Sequence, residues 1–207
     1  MSTIGILASG RGSNAEALLS AAASGRLPAR IGVVLSDRVG APVLGIAGRY
    51  GVPARYLDPG RPGGRLTPGA EGAFASALRD AGTDWVALAG FMRILGKPFL
   101  EAFPGRVLNI HPSLLPSFPG LHAQRQAIEY GVKVAGCTVH FVDDGVDSGP
   151  VVAQRPVPVL DHDTEETLSA RILEAEHELY TEAFRLVLSG AYRVSGRRVL
   201  SILQRTS

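Results

Sequence analysis

Apolar, partly β-branched runs recur along the first half of the chain at Ile4 to Ala8, Ile31 to Leu35, Ala54 to Leu57, Trp85 to Ala89 and Arg106 to Ile110, with alanine-rich stretches between them. Short buried strands alternating with helical segments predict βαβ units, and hence an α/β fold with a Rossmann-like, mostly parallel open sheet and flanking helices. Past Pro119 the rhythm changes. A helix over about Leu121 to Tyr130 gives way to two strands, Val134 to Val142 and Val151 to Val157, and then to one long helix. That helix opens with Asp163-Thr164-Glu165-Glu166, an acidic cap with glutamate three residues on. Its apolar stripe of Leu168, Ile172, Ala175, Leu179, Ala183 and Leu186 steps by three and four, which defines one buried face. At about 100° per residue Glu176 falls on the flank of the stripe, toward a cleft, and His177 points nearly opposite it, toward water. The chain closes with Tyr192 to Val194, a Ser195-Gly196 turn and Arg197 to Leu200, which reads as an edge hairpin. Arg61 to Gly72, rich in glycine and proline, reads as a mobile surface loop.

The 207 residues, 45% of them hydrophobic, suffice for a full core, and no linker divides them. The expectation is one domain over 1–207, built from halves of about 1–105 and 106–207. A net charge of +2 with scattered basic residues argues against a nucleic-acid partner and for a small anionic ligand. The lone Cys137 excludes an intrachain disulfide and any CxxC motif, suits a reducing cytoplasm, and lies in a predicted strand as a buried thiol. No basic segment precedes the first apolar run and no stretch is long enough to span a membrane, so the chain is expected to be mature, cytoplasmic and without a membrane partner.

Candidate chemistry clusters in three places. Ser9-Gly10-Arg11-Gly12-Ser13-Asn14-Ala15 follows the first strand and opens a helix, a setting in which exposed N–H groups bind phosphate. It also satisfies the G-x-G-x-x-A dinucleotide pattern, with Asp37 at the end of the second strand as a ribose partner, so an NAD-dependent oxidoreductase or a nucleotide-binding module is the alternative reading. Asn109 and His111, two apart at a strand end, point to one face and suit stabilisation of an oxyanion. Asp143-Asp144-Gly145-Val146-Asp147-Ser148-Gly149-Pro150 supplies carboxylates on a loop; it lacks the glycine and the closing glutamate of a calcium loop. The five histidines give no HxxxH pair, no G-x-S-x-G elbow is present, and no metal is expected.

Taken in order, Ala8 to Asn14, Leu88 to Leu95, Leu108 to Pro116, Pro119-Gly120-Leu121-His122, and Val139 to Val142 with Asp147 and Gly149-Pro150 resemble the phosphoribosylglycinamide formyltransferases over nearly the whole chain. The resemblance implies a formyltransferase fold and transfer of a formyl group from 10-formyltetrahydrofolate, as co-substrate, to the amine of glycinamide ribonucleotide, without a metal or covalent intermediate. By that resemblance Asn109, His111 and Asp147 are the catalytic trio. Arg11, Gly12, Ser13, Asn14 and Glu176 bind the ribonucleotide. Arg65, Met92, Arg93, Ile94, Leu95, Asn109, Val142, Asp143, Asp144, Gly145 and Val146 bind folate, which makes 106–207 the folate-binding and catalytic half. Leu173 departs from the lysine or glutamine usual at the phosphate end, with Arg11 as its substitute. Related enzymes formylating methionyl-tRNA or hydrolysing formyltetrahydrofolate carry further domains that 207 residues do not accommodate; a monomer or homodimer is expected.

Overall fold

The computed structural model describes residues 1–202. Its strands are β1 (Ser2–Leu7), β2 (Ala29–Ser36), β3 (Ala54–Tyr56), β4 (Trp85–Leu88), β5 (Val107–His111), β6 (Val134–Phe141), β7 (Val151–Pro158), β8 (Tyr192–Ser195) and β9 (Arg198–Ser201). The helices are α1 (Ser13–Ala23), α2 (Pro42–Arg49), α3 (Pro68–Asp80), α4 (Lys97–Ala102), α5 (Ala123–Tyr130) and α6 (Glu165–Ser189). One sheet runs in the order β3-β2-β1-β4-β5-β6-β7-β9-β8. The five strands from β3 to β5 are parallel; β6 then pairs antiparallel with β5, and β7 antiparallel with β6. The mostly parallel Rossmann-like half and the terminal edge hairpin are both as the sequence predicts.

Alternation along the strands feeds two cores. Ile4, Ile6, Trp85, Ala87, Leu108 and Ile110 join residues of α1, α2 and α6 on one face, and Leu7, Val86, Leu88 and Val107 meet Phe74 and Phe99 of α3 and α4 on the other. Each large side chain buried here contributes about 2 kcal/mol. Within α6, the Tyr180 hydroxyl contacts the carbonyls of Leu88 and Leu108, both at 3.0 Å, and so seats the helix on the ends of β4 and β5. From β1 the chain winds outward to β2 and β3, then crosses back to β4. The crevice at the carboxyl ends of β1 and β4 is therefore a topological switch point, where open α/β sheets hold ligands.

Three local readings are corrected. Pro68 to Gly72 is the first turn of α3 rather than loop: the Thr67 side chain accepts from Ala70 N and proline occupies the first turn, where no N–H is needed. The cap of α6 is Thr164, in a reciprocal pair with Thr167 rather than with a glutamate, while Asp163 binds Arg171 and Leu160 N. His177 is half-buried rather than turned fully to water; its Nε2 is buried, and burial lowers its pKa despite nearby Glu16 and Glu174. A 100° rule treats the helix as isolated, whereas α1 packs on this flank.

Candidate active site

Asn109 and His111 occupy alternate positions at the end of β5 and share the face of Val107. Antiparallel pairing sets His140 opposite Asn109 and Thr138 opposite His111. Asn109 Nδ2 lies 3.2 Å from His140 Nε2, and His140 Nδ1 donates to the Phe141 carbonyl at 2.8 Å. His111 Nε2 donates to the Phe118 carbonyl at 2.9 Å, which leaves Nδ1 as the edge turned to the acid cluster. The proline-rich turn that follows is braced from β6 and β7. Thr138 Oγ1 donates to the Ser113 carbonyl at 2.6 Å and accepts from Leu115 N at 3.1 Å, and Gln154 Nε2 donates to the Leu115 carbonyl at 2.8 Å.

The carboxylate arrives from the loop joining β6 to β7. Gly149 lies so close to the Phe141 backbone that a Cβ has no room, and Asp147 adopts φ 51, so the loop doubles back over the end of β5. Asp147 Oδ2 sits 3.3 Å from His111 Nδ1 and accepts from Gly120 N at 2.8 Å; Oδ1 lies 3.4 Å from Asn109 Nδ2 and 3.5 Å from His140 Nε2. Burial alone would raise this carboxyl. Hydrogen bonds from His140 and Gly120 N–H, with the charges of His111 and His140, outweigh it and hold Asp147 below the usual aspartate range. Asp143 braces the same loop, accepting from Ser148 Oγ at 2.6 Å and Gly145 N at 3.2 Å, while Asp144, Gly145 and Val146 are exposed beside half-buried Val142.

Across the crevice, α1 begins with no side-chain cap. Gly12 is the N-cap residue in the left-handed region (φ 87), and an added Cβ would stand 2.6 Å from the Val43 side chain. Ser13 and Asn14 therefore lie inside the first turn rather than capping it, so the N–H groups there point outward from the positive end of the helix. Arg11 is exposed beside them. Asn14 Nδ2 donates to Glu176 Oε2 at 2.8 Å, which joins this turn to α6. Burial pushes the Glu176 carboxyl up to about 7, against the Asn14 hydrogen bond, which lowers it.

A folded-state value raised from 4.5 to about 7 gives stability that is fully present below pH 4.5 and lost as pH rises through 7. Glu176→Gln is accordingly expected to match the native protein in thermal melts at pH 4.5 and to exceed it at pH 8, by on the order of a few kcal/mol. Equal melting temperatures at pH 8 would contradict the buried-carboxyl assignment.

The loop after β4 lies beside the phosphate-type loop. Met92 and Ile94 are exposed, whereas Leu95 is 3% exposed and packs in the core. The Arg93 side chain turns inward onto Asp37, with Nε 2.6 Å from Oδ2. Asp37, read from the sequence as a ribose partner, is instead the arginine's counter-ion. Arg65 meets this loop through its backbone, in a parallel bridge to Ile94.

The formyl transferase family model matches residues 2–184. This chain belongs to the formyl transferase family. It is 46% identical over 196 residues to the phosphoribosylglycinamide formyltransferase of Mycobacterium tuberculosis, covering 93% of this chain and 87% of that protein. The crystal structure of glycinamide ribonucleotide transformylase 1 from Symbiobacterium toebii is 52% identical and superposes with a TM-score of 0.93, covering 98% of this chain and 94% of that one. The trifunctional purine biosynthetic protein adenosine-3 of Gallus gallus is 44% identical over 191 residues, but this chain spans only 19% of its length.

Within this formyl transferase the structure brings Asn109, His111 and Asp147 together, and joins Asn14 to Glu176 as a second cluster. It adds His140, which sequence reasoning left inside a motif without a role. The available signal was strand alternation: His140 shares a face with Thr138 and lies one strand away from Asn109. Cys137 is fully buried, and burial pushes its thiol up to about 12, so it stays protonated and inert. No helix among the described residues is long and apolar enough to cross a membrane.

Proposed function

We propose that this formyl transferase moves the formyl group of 10-formyltetrahydrofolate to the primary amine of glycinamide ribonucleotide. One observation carries the reading: an amide, an imidazole and a carboxylate converge at the end of β5, across the switch-point crevice from an uncapped helix start joined to Glu176. An amine-bearing phosphorylated ribose suits that pairing. Gly12, Ser13, Asn14 and Arg11 would take the phosphate, which compensates for the apolar Leu173, and Glu176 would accept from the ribose. The exposed apolar side chains of Met92, Ile94 and Val146, with half-buried Val142, fit a flat, largely apolar folate.

When bound, folate supplies a formyl group already activated for transfer. Asn109 Nδ2 and the Nδ1–H of His111 in its imidazolium form would donate to the formyl oxygen as negative charge develops there during attack by the amine. A new bond forms between amine nitrogen and formyl carbon, the bond from that carbon to folate nitrogen breaks, and the amine proton passes to that nitrogen. Asp147 faces both donors, and would orient the imidazole and relay the proton through water. The Phe118 carbonyl fixes which ring nitrogen is free for this work.

The test is direct: incubate the protein with both substrates and follow formylated ribonucleotide and tetrahydrofolate. Equal amounts of the two are expected. Release of formate without a formylated amine would instead make the protein a hydrolase, and ordered NAD over Gly10 to Ala15 in a soaked crystal would favour an oxidoreductase.

A further inference from the structure

The loop after β4 is bolted down from two sides by residues to which no substrate role is assigned. On one side Ser9, 2% exposed, accepts from Met92 N at 2.8 Å, and its own N–H donates to the Gly90 carbonyl at 3.1 Å. On the other, the Asp37 and Arg93 side chains are 1% and 10% exposed and meet at 2.6 Å. Arg93 Nη1 continues to the Arg61 carbonyl at 3.0 Å. Backbone ties from Ile94 N to the Gly64 carbonyl, 3.2 Å, and from Leu66 N to the Ile94 carbonyl, 3.3 Å, complete the seam with the glycine-rich segment.

We propose that Asp37 is a positioning residue for folate binding: by holding Arg93 inward, it sets the direction in which Met92 and Ile94 are presented. The proposal rests on reading this loop as the folate loop. Arg93 lies at a bend between Met92 and Ile94, so a guanidinium anchored inward on Asp37 requires the two flanking side chains to splay outward. Their exposures of 51% and 38% agree with that requirement. An arginine so deeply covered needs its counter-ion, because a lone buried charge is costly and the loop would rearrange to hydrate it. With Nε and Nη1 both engaged, the guanidinium acts as a strut, and the folate meets the apolar neighbours that the strut directs.

Steady-state kinetics of Asp37→Asn, Arg93→Gln and the double variant test this on protein that has shown formyl transfer. Asp37→Asn is expected to raise KM for 10-formyltetrahydrofolate about tenfold, with kcat and the ribonucleotide KM within about twofold. The double variant should be no worse than the worse single one, since both changes cut one link. A guanidinium that binds folate directly predicts the opposite sign: Asp37→Asn would free it and lower KM, or leave it unchanged, and either result overturns the proposal. If Asp37→Asn does not fold, the double variant leaves no charge unpaired, and an unchanged folate KM in it also overturns the strut. Hydrogen exchange separates this from the functional reading. Faster exchange at the Met92 and Ile94 amides in Asp37→Asn, with the α1 amides unaltered, supports the strut even in protein without transfer activity; unaltered exchange at Met92 and Ile94 overturns it.

Discussion

His111→Ala is expected to lower kcat by roughly 10² to 10³, with ribonucleotide affinity within about threefold of the native value. In the proposed mechanism the imidazole serves the reacting end of the cleft, whereas the phosphate and ribose contacts come from α1 and α6. Its interaction with the formyl oxygen strengthens only as charge builds in the transition state, so losing it should affect turnover and not ground-state binding. The substitution also removes the donor to the Phe118 carbonyl and one neighbour of Asp147. A thermal melt will register that structural cost separately. Isothermal titration with the ribonucleotide, alongside kcat, decides the matter: a parallel loss of affinity would assign His111 to binding.

The second large effect is expected at Asp147→Asn. The carboxylate faces Asn109, His111 and His140 and accepts from Gly120 N, so the change alters the whole cluster while preserving side-chain shape. A fall in kcat of about 10² is expected, from a misoriented imidazole and a lost proton relay. Stability should respond with a definite sign. Asp147 is held below the usual aspartate range, so it contributes stability that is present above the unfolded value of about 4 and lost as pH falls through its lower folded value. The asparagine variant should therefore unfold more readily than the native protein at pH 7, with the gap closing as the buffer is taken below about pH 4. A gap that stays constant from pH 7 to pH 3 would show that the carboxylate's charge does not contribute.

Much of this architecture was legible along the chain. Continuous, partly β-branched apolar runs placed β1, β2, β4 and β5 within a residue or two, because strands buried on both faces need apolar side chains at successive positions. Alternation also put Asn109 and His111 on one face. The misreadings have a common origin in local rules applied where a neighbour decides. Glycine and proline at 61–72 masked a helix start that Thr67-Pro68 announces, and helical periodicity turned His177 outward without knowledge of α1.

Other residues have meaning only across elements. Arg93 sits in a stretch whose composition suits ligand contact, yet 56 positions upstream Asp37 claims its guanidinium. His140 acquires a role because antiparallel register sets it opposite Asn109.

By itself the sequence determined the alternation of strands and helices, the phosphate-type turn and the shared face of Asn109 and His111, since each depends on spacing within a few residues. Tertiary structure decided the rest. The loop carrying Asp147 is 36 residues from His111, and nothing local directs its carboxylate. The antiparallel turn from β6 into β7, with the tight approach of Gly149 to Phe141, folds it back to within 3.3 Å of the ring, and so completes the cluster.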